Sequence, residues 1–373
     1  MFADVVIVGA GIMGCSTAFH LAQRKGTRVV VIEKGSIAYG MTKRSGALIR
    51  THFADEPSVR LAFASLHTFQ NWKDVVGDTG NFTQTGLVTT VGDDAGAARL
   101  REQVELLRGV GVNTQVVTPD ELHELQPAAR VDDVKLAAYE PASGYVDPVE
   151  ATQALAARAK DLGVTFKTGT FVKSILVERG RVYGVDTTIG QIETLTVAVM
   201  AGPWSDHLLE PLGVQIGIQS QRAEVAFFDR PPELNAGHAA FIDSITGAHF
   251  RPHTFGLTMA GLTAPQPEPL KTPDQFDETV SREHVAEVQQ RIAVRLPVMA
   301  QARFIRGHAG VYDMTPDSRP VLGNAPGIHG LIIAAGFSGN GFTLAPAVGA
   351  CISELIADGE AQTADLSTFG FRH

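Results

Sequence analysis

One segment near the amino terminus constrains the fold more than any other. Val5-Val6-Ile7-Val8 is a β-branched, wholly apolar run, the pattern of a short strand buried on both faces. Gly9-Ala10-Gly11-Ile12-Met13-Gly14 follows at once, Cys15 to Gln23 reads as a helix, and a second apolar run, Val29-Val30-Val31-Ile32, ends at Glu33. This is a βαβ unit with G-x-G-x-x-G between strand and helix and an acid 19 positions after the last glycine, close to the roughly 20 of a dinucleotide site. Gly9 permits the tight turn, Gly11 lets a pyrophosphate approach the backbone, and Gly14 lets helix and strand pack closely. Ile12 and Met13 open the helix, whose free N–H groups and partial positive charge suit phosphate. Glu33 suits a ribose diol and repels a 2′-phosphate.

Composition narrows the class. The 373 residues include 38 glycines and only two cysteines, Cys15 and Cys351, and the net charge is -9. That charge argues against a nucleic-acid binder, which needs a positive face. Two distant thiols read as buried apolar residues in a reducing compartment. No unbroken apolar stretch reaches the roughly 18 residues of a membrane span. Val5 to Phe19 lacks the basic flank of a signal peptide, so the expected location is cytoplasmic. The length suggests two domains.

Residues 57–77 and 96–110 read as helices, Thr118-Pro119-Asp120-Glu121 starts a short one, and Asp147-Pro148-Val149-Glu150 is a helix start by its cap and its proline. Val164–Thr170, Val172–Val177 and Arg181–Thr188 read as strands of a meander. Leu195–Met200 is a buried strand ending at Ala201-Gly202-Pro203-Trp204, residues 222–261 suggest an antiparallel sheet, and His284–Val294 reads as a helix. No internal repeat, low-complexity tract or metal-spaced Cys/His cluster is apparent, and no metal is expected. Near the other end, Leu331–Ala335 runs into Gly336-Phe337-Ser338-Gly339-Asn340-Gly341, and Thr343 to Ala357 follows as a helix. This second glycine corner lacks a downstream strand and acid, so a second NAD site is not expected. Its helix amino terminus suits a group that gains negative charge.

Together these segments resemble the FAD-dependent D-amino acid oxidase, glycine oxidase and sarcosine oxidase family, almost end to end. The resemblance rests on Val6–Gly14 with Glu33-Lys34, on Val199–Trp204, on Tyr312-Asp313-Met314-Thr315-Pro316-Asp317 and on Gly336–Phe342; Ala47-Leu48-Ile49-Arg50 draws the chain toward the sarcosine oxidase β-subunit branch. It implies an α/β (mixed α+β) chain, with a Rossmann-like FAD-binding domain of glutathione-reductase type and a second, antiparallel-sheet substrate domain. The first would take 1–85, 145–220 and 305–373, the second 86–144 and 221–304. It further implies oxidation of the C–N bond of an amino acid or secondary amine, by hydride transfer to flavin N5 and hydrolysis of the imine.

Carried over by position, Gly9, Gly11, Gly14, Glu33 and Lys34 would hold the ADP half of FAD. Arg44 and Ser45 would lie near the pyrophosphate and Val172 at the adenine. Ala201, Gly202, Trp204, Gly310, Gly339, Asn340, Gly341, Phe342 and Thr343 would line the cofactor. Arg50 and Tyr312 would hold the substrate carboxylate. The pattern also departs from the family. Thr343 stands at a carboxylate-binding lysine, Asn340 at a histidine, Thr258 at an oxygen-activating lysine and Gly310 at the flavin-attaching cysteine, which implies noncovalent FAD. Arg251 is a candidate to replace the lost lysine charge, and His52, His253 and His308 are candidate pocket residues. Three readings stay open beside an N-substituted glycine as substrate. They are D-amino acid or proline oxidation, a flavin-bearing subunit of a heteromeric complex, and an NAD-dependent dehydrogenase built on the first motif alone. The electron acceptor is oxygen, a quinone or a partner protein.

Overall fold

A computed structural model describes residues 1–24, 26–234, 237–264 and 268–371. A six-stranded sheet forms its first layer, in the spatial order Val321–Asn324, Leu331–Ala335, Val197–Val199, Val5–Val8, Val29–Ile32 and Thr165–Lys167. Val5–Val8 pairs in parallel with Val29–Ile32 on one side and Val197–Val199 on the other, and Leu331–Ala335 extends the parallel run. Every residue of these four strands is buried, which explains why they read as unbroken apolar runs. Alternation sorts the two faces. Val5 and Ile7 pack with the helices Ile12–Ala22, Pro148–Asp161 and Gly341–Asp358. Val6 and Val8 pack with Val172, Ile175, Val182 and Val185 of a three-stranded meander. Each such side chain contributes about 1.5–3 kcal/mol when fully buried.

The meander is Val172–Glu178, Arg181–Thr187 and Gly190–Glu193. The segment expected as its first strand instead forms Thr165–Lys167, paired in parallel with Val29–Ile32 at the edge of the first sheet. Helix starts fall where the sequence places them. Asp147 accepts from the amides of Val149 and Glu150, both at 2.9 Å, and Thr118 with Glu121 closes a capping box.

The second large sheet runs Phe304–Met314, Gln219–Asp229, Leu257–Leu262, Ala248–His253, Ala240–Asp243, Leu87–Val91, Leu136–Glu140 and Gln115–Val117. It is antiparallel except where Ala240–Asp243 meets Leu87–Val91. Phe304–Met314, assigned from sequence mostly to the cofactor-binding segments, is an edge strand of this sheet and pairs along its length with Gln219–Asp229. One sheet face packs Ala226, Phe228, Phe250 and Ala260 against Val288 and Ile292 of the helix Arg282–Arg295. The opposite face carries Val225, Phe227 and Met259.

Among the described residues one helix, Gly341–Asp358, is long and apolar enough to cross a membrane, and 61% of it is buried inside the protein. Its apolar residues pack with Cys15, Ala18 and Phe19 in the first core.

Candidate active site

A cavity of about 650 Å³ lies between the two large sheets, within the 300–1,000 Å³ usual for ligand sites. Val8, Ile32 and Met200, at or just past the carboxyl ends of three parallel strands, reach its wall, the position where open α/β sheets bind ligands.

At one end the first glycine corner is a cradle. Gly9 has φ +109°, and an added Cβ would stand 2.4 Å from the Met200 carbonyl oxygen. Gly11 begins the helix Ile12–Ala22 with no side-chain cap. The Ile12 amide donates to Thr42 Oγ1 at 3.0 Å, and Gly11, Ile12 and Met13 line the cavity. A helix amino terminus of this kind is suited to phosphate. Gly14 does not line the cavity but allows the helix to touch the turn, since a Cβ there would stand 1.9 Å from Gly9 O. Glu33 accepts from the amides of Ala10 at 2.9 Å and Gly35 at 2.7 Å, which fixes its carboxylate in the wall.

Lys34, Trp204 and Asp274 form a clasp on the same wall. Lys34 Nζ and Trp204 Nε1 both meet Asp274 Oδ1 at 2.9 Å, and the ammonium lies 3.8 Å from the indole centroid. Both partners hold the Asp274 carboxyl below its ordinary range, against the effect of burial. Nearby, Arg44 pairs with Glu278 at 2.5 Å and donates to the Gly40 carbonyl at 3.0 Å. Ser45, Val172, Ala201, Gly202 and Gly310 also reach the wall.

The far end collects Arg50, Tyr312, His249, Met259 and the second glycine corner, from Phe337 to Thr343. Arg50 donates to the His52 carbonyl and to Asn340 Oδ1 at 2.8 Å, and its guanidinium lies 4.2 Å from the Phe53 ring centroid. Burial pushes its pKa below the usual arginine value, against the pull of Glu140 and Tyr312. Burial also raises the Tyr312 phenol, against Arg50. Thr343 spends its hydroxyl on the Leu48 carbonyl at 2.6 Å. His249 is pushed down to about 4, by burial first and then by Arg251, His284 and Arg50 against an opposing backbone hydrogen bond, so it is neutral at pH 7.

Several candidate residues lie away from the cavity. Arg251 does not line this cavity. It donates to the carbonyls of Gly46 at 2.6 Å and Pro252 at 2.8 Å and lies 4.2 Å from the Tyr145 ring centroid. Thr258 faces the opposite side of its strand and meets His238 Nε2 at 2.9 Å; its neighbour Met259 reaches the cavity instead. His52, His253 and His308 lie outside the lining. His52 meets Gln103, His253 borders a second cavity, and His308 meets the Arg44 carbonyl.

Two further acids brace the cavity wall. Asp313, inside the motif quoted above, accepts from the amides of Gly336 and Phe337 at 3.0 and 3.1 Å and so pins the second glycine corner. Burial raises its pKa to about 6, against those amides. Asp274 lies 240 residues from Lys34 in the chain, and no local pattern marks it.

A family model described as "DAO: FAD dependent oxidoreductase" matches residues 4–355. The chain belongs to that family. A glycine oxidase from Geobacillus kaustophilus is 27% identical over 360 residues, 95% of this chain and 92% of the relative. A sarcosine oxidase subunit beta from an Arthrobacter species is 29% identical over 96% of this chain and 88% of its own. Among solved structures, an L-proline dehydrogenase from P. horikoshii superposes with a TM-score of 0.90 at 31% identity, covering 97% of this chain and 95% of the other. The chain is therefore an FAD-dependent oxidoreductase acting on amine or amino acid donors. The cavity fits that cofactor. A glycine cradle, a helix end without a side-chain cap and a fixed carboxylate stand at one end, and a second glycine corner stands at the other.

Proposed function

We propose that this enzyme oxidises the C–N bond of an N-substituted glycine or a related amino acid, yielding an imine that water hydrolyses, to glyoxylate and an amine for an N-alkylglycine. The observation that carries the reading is Arg50. Its guanidinium lines the cavity, and no carboxylate among the described residues forms an ion pair with it. A planar fork held in place by the His52 carbonyl and Asn340 suits bidentate capture of a carboxylate, and Tyr312, which lines the same cavity, would donate its hydroxyl to it. The positive charge of Arg50 favours the neutral form of the substrate amine, whose lone pair the oxidation needs. Neutral His249 adds no competing charge. When bound, FAD would supply the two-electron acceptor, taking the α-hydrogen with its bonding pair as hydride at N5. Phe337, Phe342 and Met259 give this end of the cavity an apolar lining.

Proline is a cyclic secondary amine bearing the same carboxylate, and the likeness to an L-proline dehydrogenase makes it the second substrate to screen. Anaerobic mixing with N-alkylglycines, proline and D-amino acids is expected to bleach the flavin band near 450 nm, and no bleaching by any of them defeats the proposal. Arg50→Lys is expected to lower kcat/KM by about 10²- to 10³-fold, chiefly through KM, with flavin content unchanged. Readmission of air to the reduced enzyme separates oxygen from a quinone or partner protein as acceptor.

We also read the FAD as noncovalent. Gly310 lines the cavity, whereas Cys15 and Cys351 are buried outside it. Acid precipitation is expected to leave all of the yellow colour in the supernatant as FAD; colour in the pellet would show a covalent bond. The same reading keeps the two-domain division stated above, with Phe304–Met314 serving the substrate-side sheet.

A further inference from the structure

We propose that Glu140 is the built-in counter-charge of Arg50 and sets how tightly the site holds a carboxylate. The inference rests on the reading of Arg50 as the carboxylate-binding residue. Glu140 ends the strand Leu136–Glu140 and is 2% exposed, with Thr51 and Ser143 buried around it. Its Oε2 accepts from the Thr51 amide at 2.9 Å, the Thr51 hydroxyl at 2.5 Å and the Ser143 hydroxyl at 2.8 Å. Three donors converge on one oxygen, the acceptor pattern of a carboxylate.

The other oxygen is left open. Glu140 Oε1 has no hydrogen-bond partner, nor has His52 Nδ1, and the two stand 3.6 Å apart. His52 Nε2 meets Gln103 Oε1 at 3.0 Å, so the ring proton is assigned to Nε2, and Nδ1 turns a lone pair toward the carboxylate. Burial holds the His52 imidazole below its ordinary value, against the pull of Glu140, and a neutral ring does not cancel the charge of Glu140. Its backbone is nonetheless part of the site, because the His52 carbonyl accepts from Arg50. Thus the acid grips Thr51, between the guanidinium and the carbonyl that holds it.

This layout does two separable things. The hydrogen bonds to Thr51 fix the backbone that carries Arg50. The charge lowers the positive potential that an incoming carboxylate meets, since a buried acid bonded to the residue next to Arg50 repels a second one. A site so tempered binds substrate less tightly than a bare guanidinium would and lets a carboxylate product leave. Glu140 is a positioning residue that touches no reacting atom.

Glu140→Gln separates the two roles, because the amide oxygen can keep all three accepted bonds while the charge goes. The holoenzyme is titrated with acetate, followed by the shift in flavin absorbance, and in parallel with acetamide as an uncharged match. We expect Glu140→Gln to lower the acetate Kd about tenfold, the size expected of one unit charge acting through a partly screened path, and to leave the acetamide response unchanged. Glu140→Asp keeps the charge but is a methylene shorter and can lose the bonds to Thr51, so it is expected not to tighten acetate binding; should the Gln variant not fold, a tenfold tightening here overturns the proposal. Unchanged or weaker acetate binding in Glu140→Gln, or equal tightening of acetamide, also overturns it. Arg50→Lys serves as the reference. If that variant binds acetate as tightly as wild type, the carboxylate reading of Arg50 is what fails.

Discussion

Replacing Gly14 with alanine is expected to leave little folded, flavin-loaded protein. The added Cβ would stand 1.9 Å from Gly9 O, 3.0 Å from Gly9 C and 3.4 Å from Ile7 Cγ2. Two of those atoms are backbone, so no side chain can turn aside, and the helix must lift off the strand it packs on. Overpacking usually costs 1–3 kcal/mol and more where backbone is involved; about 3–5 kcal/mol is expected here, against a total stability of about 5–15. Gly11→Ala makes the contrast. Gly11 has φ −73°, and its added Cβ would meet only the Thr42 hydroxyl, at 3.0 Å. That variant is expected to melt near the wild-type apo temperature yet lose FAD affinity by at least about 100-fold, because the methyl occupies the cradle. The two are compared by calorimetry and by the ratio of absorbance at about 450 and 280 nm. Full flavin content in Gly11→Ala would show that the pyrophosphate lies elsewhere.

Acid is expected to destabilise the protein steeply between about pH 6.5 and 4. Burial pushes His20, His238, His249 and the half-buried His253 each down to about 4. In this window the unfolded chain binds more protons at these sites than the native protein does. The stability they contribute is fully present above 6.5 and is lost as pH falls through 4, at up to about 3 kcal/mol for each of the first three and less for His253, which solvent screens. Asp313 works in the opposite sense. Its folded value is raised to about 6, so its contribution is present below 3.8 and lost as pH rises through 6. Four protons against one leaves a net uptake of about three on unfolding. Denaturant midpoints across this range measure that slope, and His238→Gln is expected to remove about one proton from it. A flat profile from 6.5 to 4 would show that these imidazoles titrate normally.

The first βαβ corner was legible because its causes are local. Strands buried on both faces leave unbroken apolar runs, and each motif glycine answers to a contact within its own turn. The second glycine corner was legible for the same reason. The phase of the substrate-side strands was not. In Leu257–Leu262 a shift of one residue exchanges Thr258 for Met259 at the cavity, and only pairing with Gln219–Asp229 and Ala248–His253 settles it. Thr165–Lys167 is too short to show which sheet it joins. Arg251 is a candidate through the family resemblance, as a stand-in for a missing lysine charge, whereas the fold turns its guanidinium onto the Gly46 and Pro252 carbonyls. The Asp274 clasp joins residues that no period or spacing connects.

The sheet order also sets a timetable for synthesis. Val5–Val8 leaves the ribosome first, yet its neighbour Val197–Val199 follows about 190 residues later, and Leu331–Ala335 later still. The cavity wall runs from Val8 to Thr343, so the pocket cannot close until nearly the whole described chain has emerged. At about 5–20 residues per second, the glycine cradle waits tens of seconds for its opposite wall. Flavin capture therefore waits for the second glycine corner, and nascent chains halted before residue 331 are expected to remain colourless.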